Sequence, residues 1–118
     1  MYNDWSDTAN ELSKLFQEVR KGHPEVAKGF SSLAQAATAE GAMTAKDKEL
    51  MAIAIAITTH CEGCIAFHTR AAAKQGATRD EIIETVGLCI YMGGGPAFAY
   101  GAQALEAFDQ FSGGAEGA

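Results

Sequence analysis

Apolar residues recur at helical spacing near the N-terminus: Leu12, Leu15, Phe16 and Val19 form one stripe of a helix from about Ser6 to Arg20. Gly22-His23-Pro24 interrupts it, and Pro24 suits the first turn of the next helix, where its missing N–H costs nothing. That second helix carries Val26, Phe30 and Leu33 and fades at Gly41. Thr44 with Asp47 resembles a capping arrangement that opens a third, from about Ala45 to Thr58. Within it Ile53-Ala54-Ile55-Ala56-Ile57 alternates as a strand would, and isoleucine is β-branched. Alanine disfavours strands, however, and no partner strand is written elsewhere in the chain. A helix buried on most sides accounts for the run better.

A fourth helix spans about Glu62 to Gln75, and Gly76 fits the left-handed position that ends helices. Thr78 and Glu81 form a capping box for a fifth, with Ile82, Ile83, Val86 and Ile90 as its apolar face. Gly93-Gly94-Gly95-Pro96 breaks the pattern, and Pro96 opens a sixth helix running to about Phe111. The pattern predicts an all-α fold of about six helices in one domain, residues 1–118, with a flexible tail over 112–118.

Composition narrows the function classes. At 118 residues and 47% hydrophobic the chain is long enough to bury a core without disulfide staples. Its net charge is −6 and its nine Lys and Arg are scattered, so no basic stripe exists to neutralise phosphates, and nucleic acid is not an expected partner. The richest apolar stretch, Leu50 to Ile57, is far too short for a membrane span. Met1-Tyr2-Asn3-Asp4-Trp5 carries no positive n-region followed by an apolar one, which predicts a cytoplasmic, reducing location. In that setting three cysteines are not a disulfide framework. One C-x-x-C pair plus a spare thiol points to redox chemistry or metal.

Helix geometry turns the spacing of Cys61, Cys64 and His68 into a shared face, with neighbouring Cβ atoms roughly 5–6 Å apart. An i, i+3 pair has a Cα separation of about 5 Å, which a disulfide tolerates. Thiol chemistry needs the thiolate. The positive end of the fourth helix favours one, and His68, a turn further on, is placed to take the proton. Three plainer readings stand beside this one. The cysteines could be buried packing, or could join His60 and His68 as zinc ligands, although structural zinc usually draws its ligand pairs from separate segments. Glu49 could be a solvated charge favourable to the helix dipole. Cys89 reads as a small buried hydrophobe and His23 as a loop residue. A thioredoxin fold is disfavoured, because its C-x-x-C follows a strand.

Glu49, eleven residues, Cys61-Glu62-Gly63-Cys64, three residues and His68 together resemble the alkyl hydroperoxidase D-like, carboxymuconolactone decarboxylase family in its C-x-x-C-containing branch. Lys46-Asp47-Lys48-Glu49-Leu50, Ala71 to Thr78 and Gly93-Gly94-Gly95-Pro96-Ala97 extend the likeness over about residues 22–110. The resemblance implies an alkyl hydroperoxidase D-like helical fold, assembly into a homotrimer or homohexamer, and a thiol-dependent peroxidase needing no bound cofactor or metal. Carried over, Cys64 attacks a hydroperoxide, Cys61 resolves the sulfenic acid, and His68 and Glu49 relay protons. An external dithiol or lipoyl-type protein reductant restores the pair. One departure stands out: the hydroperoxidase D proteins carry a histidine between the cysteines, where this chain has Gly63. The lactone decarboxylase branch generally lacks the cysteine pair, so decarboxylation is not expected. The alternatives to a peroxidase are a general disulfide oxidoreductase and a non-catalytic metal-binding or structural oligomer.

Overall fold

The computed structural model describes residues 1–113. Six helices follow one another, with no strand among the described residues: α1 (Trp5–Gly22), α2 (Pro24–Thr38), α3 (Ala45–Thr58), α4 (Glu62–Lys74), α5 (Arg79–Gly93) and α6 (Gly95–Phe111). Residues 114–118 of the expected flexible tail lie outside the described residues, while Ser112 and Gly113 form a turn after α6.

Local chemistry sets the helix starts. Side chains of Asp4, Thr44, Cys61 and Thr78 each accept a hydrogen bond from an N–H in the first turn of α1, α3, α4 and α5. Thr78 and Glu81 make the full reciprocal capping box. Helix α2 begins instead with Pro24, and α6 carries Pro96 as its second residue. Gly94, between α5 and α6, sits at φ 71° and ψ −150°, a region essentially restricted to glycine.

The core gathers Trp5 and Ala9 of α1, the isoleucines of α3, Ile65 and Ala66 of α4, Ile82 of α5 and the alanines with Phe108 of α6. Small residues let α5 and α6 approach closely: a Cβ on Gly101 would stand 2.5 Å from Val86 Cγ1. Lys46–Glu81 joins α3 to α5 at 2.8 Å, and Arg79 grips Asp109 of α6 through two hydrogen bonds of 2.9 and 3.1 Å. Lys48 donates to the carbonyls of Ala37 and Ala39, covering the C-terminal end of α2. The N-terminus is strapped across α6. Glu106 accepts from the Tyr2 and Asn3 backbone N–H groups and the Trp5 indole, and Gln110 bonds both Trp5 N–H and Asn3 C=O.

Burial departs from the sequence expectation. The Leu12–Val19 stripe does not form the inward face of α1; Leu15 and Val19 are each 61% exposed, and the core contact falls to Trp5 and Ala9. Helix α2 has no buried residue, and Val26, Phe30 and Leu33 all face outward. Nor is α3 buried on most sides: Ile53, Ala56 and Ile57 are inside, whereas Met51 and Ile55 are exposed. On α5, Ile82 is buried and Ile83 exposed. The physical reason is shared. These helices carry more apolar surface than the rest of the chain covers.

Candidate functional site

The site is built where α3 ends and α4 begins. Cys61 N–H bonds Ala56 C=O at 3.0 Å and His60 N–H bonds Ile57 C=O at 3.3 Å, the paired closure of a Schellman motif. His60 takes its left-handed position at φ 58°, where glycine is the usual residue. Cys61 then turns its Sγ onto Cys64 N–H at 3.2 Å and caps α4. One residue therefore closes a helix with its backbone and opens the next with its side chain. Cys61 and Cys64, with Cα atoms 5.2 Å apart, are joined as a disulfide at the positive end of α4.

His68 lies one turn beyond Cys64. Helical side chains lean toward the N-terminus, so the two side chains share one face of α4. Glu49 comes from α3, where it shares an inward face with Ile53 and Ala56, so burying those residues takes its carboxyl in with them. It is only 8% exposed, and its Oε1 lies 2.6 Å from His68 Nδ1. An ionised Glu49 can only accept, so Nδ1–H donates; in a neutral ring that leaves Nε2 with the free lone pair. The hydrogen bond holds the imidazole in a fixed orientation one helical turn from the cysteine pair.

All four predicted site residues thus meet at the α3–α4 contact. Cys64 also packs against the core. Cys89 stands apart: it is 4% exposed, faces the Ala54 carbonyl at 3.8 Å, and burial pushes its thiol pKa up, away from reactivity. His60 does not turn toward a metal partner; its ring stacks on Tyr100, centroids 4.5 Å apart and planes within 4°. Among the described residues, no three His, Cys, Asp or Glu side chains converge on a point that would hold a metal ion. No described helix is long and apolar enough to cross a membrane.

Two neighbours of the site carried no signal in the sequence. Besides Tyr100 against His60, α1 lies along α4, with Phe16 and Phe67 rings 5.6 Å apart and Leu12 over Gly63. All three pairings join residues at least forty positions apart that share no motif.

Comparison with known proteins agrees with this architecture. Residues 24–107 match the carboxymuconolactone decarboxylase family, a span that takes in α2 to α6 up to Ala107 and leaves α1 outside. The crystal structure of a carboxymuconolactone decarboxylase family protein from Legionella pneumophila is similar at a TM-score of 0.89 and 49% identity, covering 92% of this chain and 96% of that one. An uncharacterized protein of Cupriavidus necator is 35% identical over 109 residues, 92% of this chain and 96% of its own. One from Haemophilus influenzae is 35% identical over 108 residues with the same coverage. Sequence and helical architecture agree along nearly the whole chain, which belongs to the carboxymuconolactone decarboxylase family.

Proposed function

We propose that the protein is a thiol-dependent peroxidase that reduces hydroperoxides through the Cys61–Cys64 pair. The observation that carries this reading is the part-buried Glu49–His68 hydrogen bond, which orients an imidazole one helical turn from a disulfide at a helix N-terminus. In the reduced pair, His68 Nε2 takes the Cys64 proton and the α4 dipole favours the thiolate. Cys64 attacks the terminal peroxide oxygen; the O–O bond breaks, an alcohol leaves with the proton from His68, and a sulfenic acid remains. Cys61 attacks that sulfur, water leaves, and the disulfide of the structure is restored. An external dithiol returns two electrons and two protons.

A second reading rests on Gly63. With glycine at position 63, where the hydroperoxidase D proteins carry a histidine, one proton carrier is missing, and disulfide exchange with a dithiol partner is the competing activity. A thiol count separates the two. Unfolded samples of the fully reduced protein hold three thiols per chain; one equivalent of hydroperoxide, added before unfolding, should leave one, with Cys61 bonded to Cys64. A count still at three, in a protein whose disulfide is readily reduced by dithiols, would favour exchange. The assembly proposed alongside is a homotrimer or homohexamer, supported by the outward apolar faces of α2, α3 and α5.

A further inference from the structure

At about 100° per residue, the surface of α4 divides into three sectors. Ile65, Ala66, Thr69 and Ala72 are buried in the core. Cys64 and His68 occupy the next sector, with Cys61 at its far side. Gly63, Phe67 and Arg70 make up the third, and there α1 lies: Leu12 covers Gly63, Phe16 meets Phe67, and Arg70 stacks on Phe67 at 5.2 Å. Phe67 is roughly 60° round the helix from Cys64 and roughly 120° from Cys61. The wall made by α1 therefore lies nearer Cys64 than Cys61 around the helix axis, although both cysteines are half-buried.

The wall is tight and anchored. A Cβ on Gly63 would stand 2.9 Å from Leu12 Cδ1, so the leucine occupies the place a side chain between the cysteines would take. Trp5 and Ala9, both fully buried, fix the start of α1, and the Glu106 bonds strap the residues before it. Cys64 packs against the core whereas Cys61 does not. Helix α1, which supplies this wall, lies outside residues 24–107 matched to the family.

We infer that Leu12 is a specificity-determining residue that shelters Cys64 and directs bulky thiols to Cys61, an inference that rests on the disulfide being exchanged during turnover. The step it governs is attack of an external thiolate on Cys61 Sγ, which breaks the Cys61–Cys64 bond and releases Cys64 as a thiolate beside His68. The reductant's second thiol then attacks the mixed disulfide and frees Cys61. The reductant leaves as its own disulfide, having delivered two electrons and two protons.

The test uses the oxidised full chain with 2-mercaptoethanol as the small thiol and glutathione as the bulky one. Reactions are quenched with iodoacetamide and the adducts mapped by mass spectrometry. Wild-type protein should carry glutathione on Cys61 and the alkyl group on Cys64. Leu12→Ala should raise the glutathione adduct on Cys64 by about tenfold while leaving the 2-mercaptoethanol rate within twofold. Leu12→Val, a gentler truncation, should shift in the same direction, and Leu12→Met should keep the wild-type pattern. Leu15→Ala, at an exposed position on the same helix, should also keep it. An unchanged adduct distribution in both truncations overturns the inference, as does an equal shift in Leu15→Ala, which would indicate a loosened helix. If the folded wild-type disulfide resists both thiols, the exchange reading itself fails and this inference falls with it.

Discussion

Glu49 and His68 are nineteen positions apart on different helices, and each is unremarkable without the other. On the proposed reading, the buried carboxylate orients the ring and would stabilise the imidazolium formed when Nε2 takes a proton. Glu49→Gln keeps the size and an acceptor oxygen but removes that charge. The oxidation rate of the reduced pair should fall by about 10²-fold or more, with the helical circular dichroism unchanged. An unaltered rate would return Glu49 to a structural role. The cysteines should also divide their labour: Cys61→Ser should react once with hydroperoxide and stall as a sulfenic acid, trappable by a dimedone-type reagent, whereas Cys64→Ser should lose the first step. Labelling of Cys61 in Cys64→Ser at the wild-type rate would reverse the assignment. Residue spacing alone aligned Cys61, Cys64 and His68, since that geometry lies within two helical turns. Glu49 was singled out only through the family resemblance, because a contact between helices leaves no local trace.

Among the elements, helix starts were the most legible part of the chain. The cap at Thr44, the box at Thr78–Glu81 and the prolines at 24 and 96 all act within four residues, so the sequence displays them whole. Helix-to-helix approach was not legible. Gly101 reads as an ordinary helical glycine until Val86 is seen against it; Gly101→Ala should force the β-branched valine or the α5–α6 pair apart, at a cost of about 1–3 kcal/mol in denaturant unfolding. The N-terminal strap gives a pH dependence. Partial burial pushes the Glu106 carboxyl pKa up, but the Tyr2 N–H, the Trp5 indole and the Asn3 N–H outweigh it and hold the pKa below the usual range. A folded-state pKa lowered in this way adds stability above the ordinary glutamate value of about 4.3, and that contribution is lost as pH falls through the folded value. Trp5, the single tryptophan, should report it by a fluorescence change in that acid window. Glu106→Gln should flatten the acid dependence and lower stability by about 1–2 kcal/mol at neutral pH. An acid transition identical in wild type and variant would exclude Glu106 as its source.

At the scale of the molecule, the apolar stripes read from the sequence are real, but most of them point away from the chain's own core. Helix α2 shows this most plainly, with Phe30 68% and Leu33 63% exposed. Periodicity reveals that a face is apolar and says nothing about which chain covers it. If copies cover one another, light scattering at micromolar concentration should give a trimer or hexamer, and Phe30→Glu should dissociate it by placing a charge in an apolar contact. A stable wild-type monomer would count against assembly. Within one copy, the corner at Cys61 has a different consequence. Its backbone bond to Ala56 does not involve sulfur, and its Sγ remains an acceptor for Cys64 N–H as a disulfide or as a thiolate. On the proposed dithiol–disulfide cycle, electrons would therefore enter and leave without undoing a helix end, a change of bonding on a stationary scaffold. Amide exchange at Cys61 and Cys64 should be nearly the same in oxidised and reduced protein, so the cycle demands no refolding between one substrate and the next.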